Sequence, residues 1–407
     1  MRTRWALGLL AAVVVLLSVT AIVRRSGDTP NAGSDTAVTT GSTAPATTGK
    51  ADAAGFGATP SQGPLTAYPP RTVRYYDALL PDLASPLTLY GFSPGAAAYP
   101  PTVVRLDLTS GTEVDTRLPP LRSDGAVSVL ADADGVIVRP LDSVPGYRVA
   151  DGAPPEILSG ILGSGGPVLP GPEPSTFWAP SPIALQTSGG DELTSMRLVD
   201  EAGRDLGSGI GVSDPGATVA SDGDGGIVTT GWDHTIQLQT ADPSAAPIPI
   251  GAGRLVGAGP TGFVYLPCDG DRRCPLQTVS RAGVPLDAVP IPQPAGKVLA
   301  GRLSPDGTHL ALIVAPDATS SSRLPGVVPQ PGLEMVDLSS GQVDPRPWIT
   351  TNAQAGDDAL VWTPDSRWLL MITGVNTLTA MSADLQQSHT TTVNVPYLAH
   401  LALRPGS

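Results

Sequence analysis

Apolar and polar positions along most of this chain fall into short runs of about five residues, each closed by a turn rich in Gly, Asp or Pro. No amphipathic pattern of helical period is sustained over the C-terminal three-quarters, so the elements predicted there are short strands. Two strand-turn phrases recur. The first reads LSPDGTHLALIV at 303–314 and VWTPDSRWLLMI at 361–372; the second reads LDLTSGTEV at 106–114 and VDLSSGQV at 336–343. In the first phrase Pro305 presets φ, Asp306 bonds its own backbone, and Gly307 tolerates positive φ. The uncharged run Leu310 to Val314 that follows fits a strand buried on both faces.

Degenerate copies extend the repeat. Turns of the second kind fall at Gly111, Gly152, Gly203, near Pro243, at Gly283, at Gly341 and near Ala383. Turns of the first kind precede them near Ala84, then at Gly135, Pro174, Gly225, Gly262, Gly307 and Ser366. Seven pairs, with second turns about 40–58 residues apart, predict an all-β, seven-bladed β-propeller over residues 71–407. The segment 398–404 reads as one more first strand, and it is expected to close the blade built from about 86–119 and remove an open edge. The competing inner strand is 73–80.

Ahead of the repeats the pattern changes. Residues 5–23 carry no charge and as a helix would span roughly 28 Å, close to a bilayer core. The expected organisation is therefore a membrane anchor or cleaved signal segment at 1–25, a disordered Ser/Thr/Pro/Gly-rich stem at 26–70, and the propeller. A transmembrane N-terminal helix would make the protein single-pass in the cell membrane with its body extracytoplasmic; cleavage would make it secreted.

Composition narrows the chemistry. The net charge is −13, and beyond Arg25 the balance is 20 cations against 37 carboxylates, which disfavours nucleic-acid binding. Aromatic residues, at 4%, are sparse, which disfavours a carbohydrate- or base-stacking platform. Cys268 and Cys274 enclose a short loop and are expected to form a disulfide, zinc being the weaker alternative. The Asp pairs at 132/134 and 222/224 fall in first turns, where geometry explains them more readily than calcium does.

The SPDG and VDLSSG phrases resemble the TolB-type, WD-like propeller repeats of bacterial envelope proteins. That resemblance implies an extracytoplasmic scaffold for protein interaction. The nearly lysine-free, Ala/Gly/Pro-rich composition is similar to that of chains from GC-rich, actinobacterial genomes. Connections between second and third strands vary most in length, at about 93–101, 179–194, 268–274 and 315–332, and all emerge on one face. The expected function is thus a membrane-tethered, monomeric propeller that binds an envelope protein through that loop-rich face. The alternative is a lyase- or lactonase-like hydrolase with a site at the propeller axis, where Asp, Glu and His would have to converge. Four histidines exist: His234, expected on the loop-rich face; His309, on the opposite side; His389; and His400, on an innermost strand as a hydrogen-bonded core residue. No nucleophile motif or phosphate-binding glycine loop appears. No catalytic, cofactor-binding or metal-binding residue is assigned, and the chain is not expected to be an enzyme.

Overall fold

A computed structural model describes residues 69–404 except 84, 96–98, 122–126, 142–144, 165, 182–184, 187–191, 213–217, 269–273, 287–290, 317–329 and 351–357. Its strands form seven antiparallel sheets. Six follow chain order from the innermost strand outward, beginning at Val127–Ala131, Leu169–Pro170, Thr218–Ser221, Arg254–Gly259, Lys297–Leu303 and Leu360–Trp362 for blades 2 to 7. Neighbouring innermost strands lie side by side, so the sheets are arranged radially about one axis.

Blade 1 closes the ring. Its innermost strand is the C-terminal His400–Leu403, laid antiparallel on Thr88–Ser93 with Leu89 opposite Leu403 and Phe92 opposite His400. Strands Thr102–Asp107 and Thr112–Arg117 follow, and the N-terminal strand Arg71–Tyr75 adds a fifth on the outer edge. The closing strand is thus the one expected, while its competitor pairs at the opposite edge of the same blade. Both ends of the repeat are held in one sheet.

The recurring Asp explains the turns. In blade 1, Asp107 Oδ1 accepts hydrogen bonds from the Thr109 amide at 2.9 Å and its hydroxyl at 2.6 Å. Asp337 does the same with Ser339 in blade 6, at 2.8 and 2.6 Å. The Ser339 hydroxyl, with neighbouring donors, holds the Asp337 carboxyl down to about 2. Gly111 and Gly341, at φ 69° and 71°, take the left-handed position each turn needs. Between the blades the faces close with aliphatic side chains. The largest cluster joins blades 6, 7 and 1 and includes Leu310's neighbour Ala311, Leu370, Met371 and Leu401.

The anchored fold class requires correction. No α-helix occurs among the described residues, and no helix there is long and apolar enough to cross a membrane. Apolar residues come in runs that a single strand consumes, and their amides are satisfied by strand neighbours. Residues 5–23, expected to span the bilayer, and all but the end of the stem lie outside the described residues. The fold class is therefore an all-β seven-bladed propeller; the transmembrane helix, single-pass topology and membrane attachment are dropped from it.

A pair of carboxyls sits at the closing seam. Glu113 is fully buried and accepts the Asn394 amide at 3.2 Å from the connection leading into the last strand. Burial first, and the neighbouring Glu113 second, push the half-buried Asp115 carboxyl up to about 7. An unfolded aspartate releases its proton near 4, so folding takes up a proton between about pH 4 and 7, and stability falls as pH rises through that window. Asp115→Asn should flatten this decline and, with solvent screening discounted, stabilise the fold by about 1 kcal/mol at pH 7.5. Denaturant melts at pH 4.5 and 7.5 test this; equal pH dependence in both proteins would refute it.

Candidate functional site

The axis is where side chains from different blades meet. Three successive innermost strands, of blades 6, 7 and 1, bring together Arg302, Asp358 and His400. Asp358 immediately precedes the Leu360–Trp362 strand, and its Oδ2 lies 3.0 Å from His400 Nδ1. Its Oδ1 is 3.7 Å from the Arg302 guanidinium. The Arg302 Nε donates to the Leu360 carbonyl at 3.3 Å, and Trp362 Nε1 donates back to the Arg302 carbonyl at 3.0 Å. These reciprocal bonds fix the height of Arg302 relative to Asp358. Phe92 packs beside the His400 ring, with centroids 6.0 Å apart.

The group is reached by water. The Arg302 and Asp358 side chains are 40% and 42% exposed, and His400 is 12% exposed. Other cations share this innermost layer. Arg254 opens the first strand of blade 5 and donates to the Val298 and Leu299 carbonyls of blade 6, while Lys297 stands exposed at the start of that strand. A chain of net charge −13 thus gathers positive groups on consecutive inner strands, an arrangement suited to drawing a small anion toward the axis.

Chemically, an imidazole held at Nδ1 by a carboxylate presents Nε2 as a proton acceptor. Nε2 of His400 has no protein partner among the described residues. No group of three or more His, Cys, Asp or Glu that could hold a metal occurs among those residues.

The remaining candidates are placed as follows. Cys268 and Cys274 are joined by a disulfide with their Cα atoms 6.2 Å apart. His234 is in the tight connection between Ile227–Thr230 and Thr235–Gln239 of blade 4, on the side of the variable connections. His309 follows a first turn on the opposite side, bonded through Nδ1 to the Thr308 hydroxyl at 2.7 Å. His389, on the fourth strand of blade 7, packs against Trp368 of the second strand with ring centroids 5.6 Å apart. The Asp pairs serve turns and meet guanidinium groups. Arg148 reaches Asp132 and Asp134 at 2.7 Å each, and Arg281 reaches Asp222 at 2.6 Å.

Two functional expectations change. The membrane-tethered scaffold is corrected because no membrane-crossing helix occurs among the described residues, and the membrane and envelope-protein partners go with it. The loops on which a binding face was read fall in large part outside them, including 269–273 and 317–329. His400 was legible as an inner-strand residue, but Asp358 and Arg302 were missed. Their signal is positional: Arg302 stands two residues ahead of the Ser304 turn, and Asp358 five ahead of the matching Thr363.

Neither a protein-family profile nor a curated protein sequence matches the chain. Solved structures are similar at low identity. TolB from Acinetobacter baumannii matches over 80% of this chain and 68% of its own, at 14% identity and a TM-score of 0.44. An oligogalacturonate lyase solved with manganese matches over 75% and 84%, at 13% identity and 0.48. A proposed 6-phosphogluconolactonase from Bacteroides fragilis matches over 79% and 98%, at 14% and 0.47. What these likenesses share with the chain is the fold alone, a seven-bladed β-propeller distantly resembling TolB-type propellers.

Proposed function

We propose that this propeller is an enzyme, a lyase or lactonase-like hydrolase that acts on a small anionic substrate at the axis. The observation that carries the reading is the Asp358–His400 contact at 3.0 Å with Arg302 beside the same carboxylate. In this reading Asp358 holds the Nδ1–H tautomer and steadies the imidazolium that forms. His400 takes one proton at Nε2 from one of two sources. The first is a C–H next to a substrate carboxylate, whose electron pair forms a C=C bond as the β C–O bond breaks and the oxygen leaves. The second is a water that adds to a lactone carbonyl as the ring C–O bond opens. In either case the departing oxygen then takes up a proton. Arg302, with Lys297 and Arg254 further along the inner layer, attracts the anion and stabilises negative charge that develops on its oxygens. The Cys268–Cys274 disulfide supports an oxidising compartment, such as a bacterial envelope, as its place of work.

The test is a turnover assay of the full chain on a panel of sugar lactones, followed by acid release, and on polyuronates, followed by the unsaturated product's absorbance. His400→Asn should lower kcat by about 10²–10⁴-fold, the usual worth of a general base. Arg302→Met should both raise KM and lower kcat, since it removes attraction of the anion and stabilisation of the charge that develops on it. Melting curves accompany each variant. Absence of turnover by the parent on both panels, or unchanged turnover in His400→Asn, overturns the reading. A melting temperature lowered by the substitutions without any parent activity would mark the three residues as a staple between blades.

A further inference from the structure

A second site lies away from the axis, at the turn-bearing end of the gap between blades 5 and 6. Among the described residues blade 5 has three strands, Arg254–Gly259, Gly262–Leu266 and Gln277–Ser280, where the other blades have four or five. Its outer edge carries only a remnant of a fourth. Val279 bridges Pro285, the Ser280 amide donates to the Val284 carbonyl at 2.9 Å, and the Leu286 amide donates to the Thr278 carbonyl at 3.0 Å. Proline has no amide with which to extend the ladder, and Val284 and Leu286 are left 58% and 50% exposed.

The aliphatic seam between the two blades stops at this point. Val264 and Leu303 belong to it and are buried, but Leu338 is only partly covered, and a cavity of about 450 Å³ opens between these side chains and Leu286. One wall forms where the first turns of the two blades meet. Gly307, at φ 74°, passes so near the Thr261 hydroxyl that a Cβ there would overlap it. A pocket of this kind holds a small ligand by an apolar body and a few placed polar groups.

Two polar groups of the cavity point to its ligand. Thr278 stands opposite Val264 in the pairing of the second and third strands, so its side chain shares the face that closes on blade 6. Thr278 is 9% exposed, and its hydroxyl has no hydrogen-bond partner among the described residues. A hydroxyl so placed carries a desolvation cost that a bound donor or acceptor would offset. Asp306 stands at the exposed rim. Its Oδ1 accepts the Ser304 and Thr308 hydroxyls at 2.6 and 2.8 Å and the Thr308 amide at 3.0 Å. Against the cost of burial, these donors hold the carboxyl below its usual range and ionised at neutral pH. Its Oδ2 has neither a hydrogen bond nor an ion pair among the described residues, and no Lys or Arg lines the cavity.

We infer that the cavity between blades 5 and 6 binds a small arylalkylamine, with its ring among Val264, Leu286, Leu303 and Leu338, a ring N–H or O–H on the Thr278 hydroxyl, and its ammonium on Asp306 Oδ2. These requirements select against simpler ligands. A purely aliphatic body would leave the Thr278 hydroxyl unanswered, and an acid would be repelled by Asp306 and by a chain of net charge −13. The site shares no residue with the axial group, so either reading stands if the other fails.

The test is calorimetric titration of the full chain with tryptamine and tyramine, beside their alcohol analogues tryptophol and tyrosol and the acid indole-3-propionate. At least one amine is expected to bind saturably, about tenfold more tightly than its alcohol, and the acid more weakly still. Asp306→Asn keeps an oxygen for the Thr308 amide; it should weaken the amine by about tenfold and bring it level with the alcohol. Thr278→Val keeps the shape of the side chain and should weaken amine and alcohol alike, by about three- to tenfold. His400→Asn should bind as the parent does. Melting curves establish that each variant is folded. No saturable heat with either amine, an alcohol or the acid bound as tightly as the amine, or amine binding unchanged in either folded cavity variant would overturn the proposal.

Discussion

Removal of residues 398–407 is expected to cost the chain most of its folding stability. The lost strand is the innermost one of blade 1, where Leu398, Leu401 and Ala402 are 0%, 5% and 8% exposed. Burying a leucine contributes roughly 1.5–3 kcal/mol, and the truncation also uncovers the edge of Thr88–Ser93 along its whole pairing. Arg404 leaves as well, and with it the 2.7 Å ion pair to Asp151 that ties blade 1 to blade 2. Together these losses are on the order of 5 kcal/mol, comparable to the entire margin of a typical domain. Removing residues 1–75 is the matched control. Among the described residues it takes away the outer strand, whose Tyr75 is 78% exposed, and leaves the buried Leu79 and Leu80 in place. Circular-dichroism melts should show the C-terminal truncation unfolded or melting far below the parent, and the N-terminal one lower by a few degrees. Similar melting of the two truncations would refute this account of closure.

That asymmetry also marks how far the sequence could be read. Turn positions were legible because each obeys local chemistry. An Asp two residues ahead of its donors and a Gly able to take positive φ give the same signal in a degenerate blade as in a perfect one. The closing strand was legible for a related reason: the segment through Arg404 copies a first strand running into its turn. The seat of Arg71–Tyr75 was not, since an edge strand is selected by what remains unpaired once the ring is complete. The axial group was half legible. His400 sits on a recognisable inner strand, yet its 3.0 Å partner is 42 positions earlier and Arg302 belongs to a third blade. Their contact depends on the relative heights of three strands, which bulges such as the one between Val298 and Ala300 adjust.

Arg139→Ala is expected to destabilise the propeller by about 3–5 kcal/mol. Arg139 is the penultimate residue of the second strand of blade 2, Gly135–Pro140, and is 0% exposed, an unusual position for a guanidinium. Burial lowers its pKa to about 10, so it remains charged throughout the neutral range. Its two terminal nitrogens donate to the Pro167 carbonyl at 3.3 Å and the Ile161 carbonyl at 3.1 Å, on the segment that carries the chain from blade 2 into blade 3. That segment packs Leu162 and Val168 into the core between the two blades. Alanine would leave both carbonyls short of a donor and open a cavity among these side chains, two penalties that add. Arg139→Met separates them, because it refills much of the volume while removing the donors. The expected order of melting temperatures is parent, then Met, then Ala, with Ala lower than the parent by roughly 6–15 °C. An alanine variant within 2–3 °C of the parent would show that the carbonyls find water, and that this buried charge is not what fixes the passage between the blades.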